Sequence, residues 1–252
     1  MAWSLQRIDC AYDYLGGYQY LDVCGSVLRD AYAELGYIPS NINTEKIITS
    51  KNQDGFVVNF SSSTFSMMQE EPSDLGEVYL EEISQWLALF WGRVSPVSCE
   101  KCRLVLDFVL PARSEEEVFS KLGKINVPLF HDLSSAIGFP ELMQNLTFMF
   151  RSGSTTIDCA FMGTGFITPV ETRNSVSFFS TERQRQFERD RYSRKHKKAG
   201  NEYSWAVNMK ISVTEDSPPS PTAENNWGAD RLKRQFDIAW LTKNKSSEII
   251  RL

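Results

Sequence analysis

Residues Thr181–Lys198, TERQRQFERDRYSRKHKK, concentrate more chemistry than any other stretch of this chain. Arg183, Arg185, Arg189, Arg191, Arg194, Lys195, Lys197 and Lys198 stand against Glu182, Glu188 and Asp190, a net charge of +5 within a protein of net charge −5. The rest of the sequence therefore carries −10. Such asymmetry marks an arm for an anionic partner. Arginine forks pair bidentately with phosphate or carboxylate, and Phe187 and Tyr192 supply apolar anchors that can also stack on exposed bases. The same letters also describe a solvated helix, since Asp190 and Arg194 form an i,i+4 pair and charge surrounds the axis.

Other candidates have less behind them. Cys99-Glu100-Lys101-Cys102 has the spacing of a zinc or redox pair. Its companions Cys10, Cys24, Cys159, His131 and His196 are scattered singly, and the pair opens a strand instead of a helix. Buried, reduced thiols are expected, with no metal and no cofactor. Asp9, Asp13, Asp107, Asp158 and Asp237 fall in or beside expected strands, and Asp54 in a hairpin turn. Carboxylates gathered from neighbouring strands can hold Mg²⁺ and position a phosphoryl group. Exposed strand aspartates also serve simply to discourage edge-to-edge aggregation. His131-Asp132 lacks the nucleophile motif that would complete a triad, and Asp132 suits a helix cap. Gly163-Thr164-Gly165 lacks the third glycine of a dinucleotide site and reads as a turn after a strand.

The elements that must position these groups follow from periodicity. Ser4–Tyr12 alternates as a strand with Ile8, Cys10 and Tyr12 on one face. Leu21, Cys24, Leu28, Ala31 with Tyr32, and Leu35 recur at helical spacing, closed by Gly36. Glu45–Ser50 and Phe56–Phe60 flank an Asp54-Gly55 turn, and Phe65–Gln69 adds a strand. A second helix is expected from about Asp74 to Trp91, ended by Gly92, and Arg103–Leu110 reads as a strand covered on both faces. Ser114-Glu115-Glu116-Glu117 has capping-box spacing for a helix ending near Gly123. Further on, a short helix is expected over Asp132–Ile137, a hairpin from Leu146–Arg151 and Thr155–Met162, and strands at Val176–Phe179 and Tyr203–Val213. Glu215–Gly228 reads as a Pro-rich loop, and Phe236–Leu241 as a final strand, with a short helix over Leu232–Trp240 as the competing reading. Ile8-Asp9-Cys10-Ala11-Tyr12 recurs nearly as Ile157-Asp158-Cys159-Ala160-Phe161, a slender hint of duplication.

The chain has 252 residues, 42% hydrophobic and 23% charged, enough to bury a core without disulfide or metal staples. Two histidines exclude chemistry built on a histidine cluster, and the acidic balance excludes a uniformly basic nucleic-acid binder. No basic-then-apolar leader opens the sequence and no apolar run nears the roughly 20 residues that span a bilayer, so a cytoplasmic protein without a membrane partner is expected. The fold class expected is α+β, with mixed or antiparallel sheets, helices packed on one face, a ferredoxin-like β-α-β-β-α-β first half and two similar halves. Residues 1–125 form the half with two main helices, and 126–252 a β-rich half with the basic insertion 181–198 and the Pro-rich loop 215–228. Functionally the sequence favours a non-catalytic binding or assembly subunit of a larger intracellular complex, contacting a protein partner through the basic arm. The alternatives are nucleic-acid binding by that arm and metal-dependent phosphoryl transfer by the strand aspartates.

Overall fold

A computed structural model describes residues 3–123 apart from 17–18, 44, 52–53 and 73–75, and then residues 145–165, 205–218 and 227–251. Among these, nine strands form one antiparallel sheet accompanied by four helices. In chain order the elements are β1 (Ser4–Leu15), α1 (Tyr20–Leu35), β2 (Ile38–Ile42), β3 (Lys46–Lys51), β4 (Phe56–Ser61), β5 (Thr64–Glu70), α2 (Glu77–Val94), β6 (Ser98–Ala112), α3 (Glu115–Gly123), β7 (Asn145–Ser152), β8 (Thr155–Gly165), β9 (Trp205–Asp216) and α4 (Trp227–Arg251).

The strands lie in the order β2-β3-β4-β5-β1-β6-β9-β8-β7. Outward from the central β1–β6 pair, one side reads β1-β5-β4-β3-β2 and the other β6-β9-β8-β7. Each side therefore begins with its own first strand and returns through a meander. The described pairings contain no parallel neighbours of the kind a ferredoxin-like half has. The short sequence repeat does not follow this layout, because its copies fall on central β1 and penultimate β8. Both copies alternate with the same inward parity, which explains the shared letters without duplication.

Period-two burial builds the sheet. Along β1, Ile8, Cys10, Tyr12 and Tyr14 are buried while Arg7, Asp9, Ala11 and Asp13 are half-buried. Inward rings of β1, β4 and β5 meet α2: Tyr12 and Tyr14 lie edge-on to Trp91, at 5.8 and 5.3 Å between centroids, and Phe60 and Phe65 approach both Trp86 and Phe90. Farther along, Phe108 of β6 meets Trp240 of α4 at 5.3 Å, and Tyr79 of α2 meets Phe236 of α4 at 6.0 Å. Each such contact adds about 0.5–1.5 kcal/mol to area burial.

Several expectations need correcting. Phe236–Leu241 is not a strand but part of α4, a helix of 25 residues. Its inward set, Leu232, Gln235, Phe236 and Ala239, has helical spacing, so the competing helix over Leu232–Trp240 is the reading that holds, within a longer helix. Glu215 and Asp216 belong to β9, while Trp227 and Gly228 open α4, so the expected loop is shorter at both ends. Gly92 lies inside α2, which runs on to Val94 and closes at Ser95 with φ 45°. In α1 the buried stripe is Tyr20, Val27 and Ala31, whereas Leu21 and Tyr32 face outward. β2 was not foreseen, because Pro39 and its polar neighbours give no alternation. The expected elements at Asp132–Ile137 and Val176–Phe179 lie outside the described residues.

The turn at Asp54-Gly55 behaves as its letters require. Gly55 sits at φ 71°, and a Cβ there would lie 2.7 Å from the Glu70 carbonyl oxygen. The α3 terminus forms a variant of the capping box: the Glu117 N–H donates to Ser114 Oγ at 3.3 Å, and the Glu117 carboxylate accepts from the Arg113 N–H at 2.7 Å.

Because Trp86 is wholly buried among Tyr37, Phe60 and Phe65, Trp86→Ala is expected to lower unfolding free energy by about 3–5 kcal/mol. Outward-facing Leu241→Ala should stay within about 0.5 kcal/mol. Denaturant titration of both variants checks the contrast.

Candidate functional site

The basic arm itself, Arg183, Arg185, Phe187, Arg189, Arg191, Tyr192, Arg194, Lys195, Lys197 and Lys198, lies outside the described residues, as does His131-Asp132. Its attachment is described. β8 and β9 pair without a register break from Thr155↔Glu215 to Gly165↔Trp205. The chain between Gly165 and Trp205 therefore departs from and returns to neighbouring points at one end of the sheet. Ala112 pairs with Trp205 on the other side, so α3 also begins at this end. Gly163, Thr164 and Gly165 are strand residues of β8, not a turn.

The sheet brings some strand aspartates together and holds others apart. Residues that alternate with the core positions form cross-strand rows. One row runs Glu70 (β5), Arg7 (β1), Asp107 (β6), Lys210 (β9), with direct pairings at each step. Charge alternates along it, and opposite charges directly across a strand pair stabilise while like charges do not. Asp9 lies one row along and forms an ion pair with Arg7, Nη2 to Oδ2 at 2.5 Å. Asp9 and Asp107 are thus diagonal neighbours. Burial raises the Asp107 carboxyl above its ordinary range, Lys210 and Arg7 oppose that shift, and Asp9 adds to it. Asp158 sits opposite Ser212 on β8, two strands beyond β6, and its Oδ1 is buried without a hydrogen-bond partner. Asp13 pairs across to Lys101 at the far end, Asp54 pairs with Lys51 at 3.6 Å, and Asp237 is exposed on α4. Among the described residues, no three His, Cys, Asp or Glu side chains converge as a metal ion requires.

Sequence spacing hid the arrangement of the thiols. Residues three apart on a regular strand face opposite sides, yet Cys99 and Cys102 are both buried. A bulge reconciles them. Tyr12 pairs with Cys102 and Tyr14 with Cys99, so β6 spends one extra residue there, and Glu100 and Lys101 turn outward. The two thiols join Cys10 under the centre of the sheet. The Cys102 thiol faces Gln235 Oε1 at 3.7 Å, and the Cys99 thiol donates to the Asp13 and Lys101 carbonyls at 3.5 Å. Burial pushes Cys99 up to about 12, with nearby Cys102 adding to it, and raises Cys10 as well. The Cys10 and Cys99 thiols are thus protonated and poorly nucleophilic.

A second polar cluster lies beneath the β3–β4 end. Lys51 Nζ pairs with Glu82 at 3.3 Å, and the Glu82 side chain is only 10% exposed. Tyr37 lies beside it, edge-on to Trp86 at 4.9 Å; burial and the Glu82 carboxylate raise its hydroxyl's pKa. Between α1 and α2 runs an open groove of about 540 Å³, bridged by the Arg93–Asp30 ion pair at 2.6 Å.

No model of a known protein family matches the chain, and no curated protein matches it. Among the described residues, no helix is long and apolar enough to cross a membrane.

Two measurements test this geometry. Because Asp107 holds its proton more tightly when folded, it costs stability increasingly as pH rises from about 4 through its raised folded value. Asp107→Asn removes that dependence, so its stability relative to the unaltered protein should climb between acid and neutral pH in paired thermal melts. A flat difference contradicts the account. Native thiol titration should find only Cys24 reacting quickly, and Cys10, Cys99, Cys102 and Cys159 only on unfolding.

Proposed function

We propose that the chain is a non-catalytic binding and assembly subunit of an intracellular complex, in which the sheet is a rigid mount and Thr181–Lys198 is the contact arm. The observation that carries the reading is the tether. Gly165 and Trp205 are paired neighbours, so the arm's chain leaves and re-enters the sheet at one place. Lys198 precedes Trp205 by seven residues, which limits it to about 24 Å from the strand end when fully extended. A charged segment held at both ends by a rigid hairpin loses less freedom on binding than a free tail.

The sheet's outward face supports assigning the contact to the arm. We read α1 to α4 as covering one face, since α1 touches α2, α2 touches α4 and α4 touches α3, and the aromatic contacts to the helices come from inward strand residues. The other face carries Glu70, Arg7, Asp107 and Lys210 in alternating sign and so offers no uniform field to an anion. We divide the chain at about residue 125 into a half with two main helices and a β-rich half, and the arm belongs to the second. An acidic protein surface is the preferred partner. Nucleic acid is the second reading, favoured by Phe187 and Tyr192 among the arginines.

Replacing the arm's eight Arg and Lys by Ala in the full chain separates these readings. Loss of a co-purifying protein partner, with no affinity for RNA or DNA in either form, supports the first. Nucleic-acid affinity that falls about 10³–10⁵-fold between roughly 50 and 200 mM salt, and vanishes in the variant, selects the second. Partner binding unchanged by the eight substitutions overturns both.

A further inference from the structure

We propose that the outer edge of β7 pairs with the same edge of a second copy of this chain, β7 against β7 about a two-fold axis at Phe148. The two ends of the sheet are treated differently. β2, at one end, has five residues, carries Pro39 and shifts register between Pro39 and Asn41, all devices that blunt an edge. β7, at the other end, has eight residues, no proline and no register shift along its pairing with β8. Among the described residues it pairs with β8 alone. Among the described residues, its outer backbone groups thus form a ladder with no register break, open to another strand.

The side chains say which strand fits. On the core face, one row crosses the sheet through Val58, Met67, Cys10, Leu104, Val213 and Ile157 to end at Phe150. The first five are fully buried, while Phe150 is 56% exposed. The apolar row therefore continues into solvent at the last strand. Met149, on the opposite face, is 71% exposed.

In an antiparallel pair, directly opposed residues share a face. An axis at Phe148 sets Phe148 against Phe148, Leu146 against Phe150, and Thr147 against Met149. The core face then continues as an unbroken apolar row and no like charges meet among these pairs. The β7 sequence is complementary to itself in this register, which makes a second copy the occupant. The contact is isologous and closes on itself, so it yields dimers and not fibres.

Sedimentation of the full chain over a concentration series is expected to show a mass approaching twice 28.8 kDa. Thr147 and Met149 are exposed, so charge can be placed there without touching the core. Thr147→Lys with Met149→Lys, whose ammonium faces Asp158 within the chain, opposes like charges at both off-axis pairs and should shift the folded protein to a single chain. Thr147→Glu with Met149→Lys opposes unlike charges and should restore the pair. A single chain at every concentration overturns the proposal. So does a dimer indifferent to both variants, or one lost equally in both. Hydrogen exchange of the unaltered chain gives a second readout: β7 amides must slow as concentration rises, and concentration-independent exchange overturns the pairing.

Discussion

The pairing of β1 with β6 is the contact on which the remainder hangs. These are among the longest strands, 12 and 15 residues, and they join the two meanders that would otherwise be separate sheets. Each end of the ladder carries an irregularity: Gln6 is the extra residue on β1 and Glu100 on β6. Within this ladder and just beyond its bulges, the inward residues form the floor against which α2 and α4 pack. Tyr12 and Tyr14 receive the rings of α2, and Phe108 receives Trp240 of α4. A slip of one residue in this register would turn those rings outward and bring Asp9 and Asp107 into the core, an error large enough to fix the alignment.

That alignment also sets the chemistry of the two faces. Inward positions hold rings, aliphatic groups and buried thiols. Outward positions at the centre hold charges that are half-buried and paired in alternation. A half-buried carboxylate needs compensation, and Asp107 has Arg7 on one side and Lys210 on the other. The same cations offset part of the charge of Asp9 and Asp107, while the Arg7 Nε is buried without a hydrogen-bond partner.

Where local periodicity decided structure, the sequence was readable. β1, β3, β4, β5, β7, β8 and β9 fall within a few residues of their alternating patterns, and the Asp54-Gly55 turn and Ser114 cap sit where their chemistry demands. Misreadings arose where a longer-range contact outweighed a local signal. Gly92 ends a helix in isolation, but α2 continues because Val94 finds a buried seat. Phe236–Leu241 is apolar enough for a strand, yet Leu232, Phe236 and Ala239 need a helix to reach the core together. The convergence of Cys10, Cys99 and Cys102 could not be read from CxxC spacing, since a bulge reverses the facing of one residue. Asp9 and Asp107 as neighbours required the strand order, which no short motif encodes. For the arm, composition revealed the charge, and only the Gly165↔Trp205 pairing revealed how it is anchored.

The strand order has a further consequence in time. β1 leaves the ribosome ahead of both its partners, and the one on one side, β5, is complete by Glu70. Its partner on the other side, β6, begins only at Ser98. At ordinary elongation rates of roughly 5–20 residues per second, the growing chain holds a finished half-sheet with a bare inner edge for about a few seconds. During that interval the strand that will become the centre of the molecule is its border. Asp9 and Asp13, paired or solvated in the finished protein, are then the charges that keep this temporary border from pairing with another nascent chain.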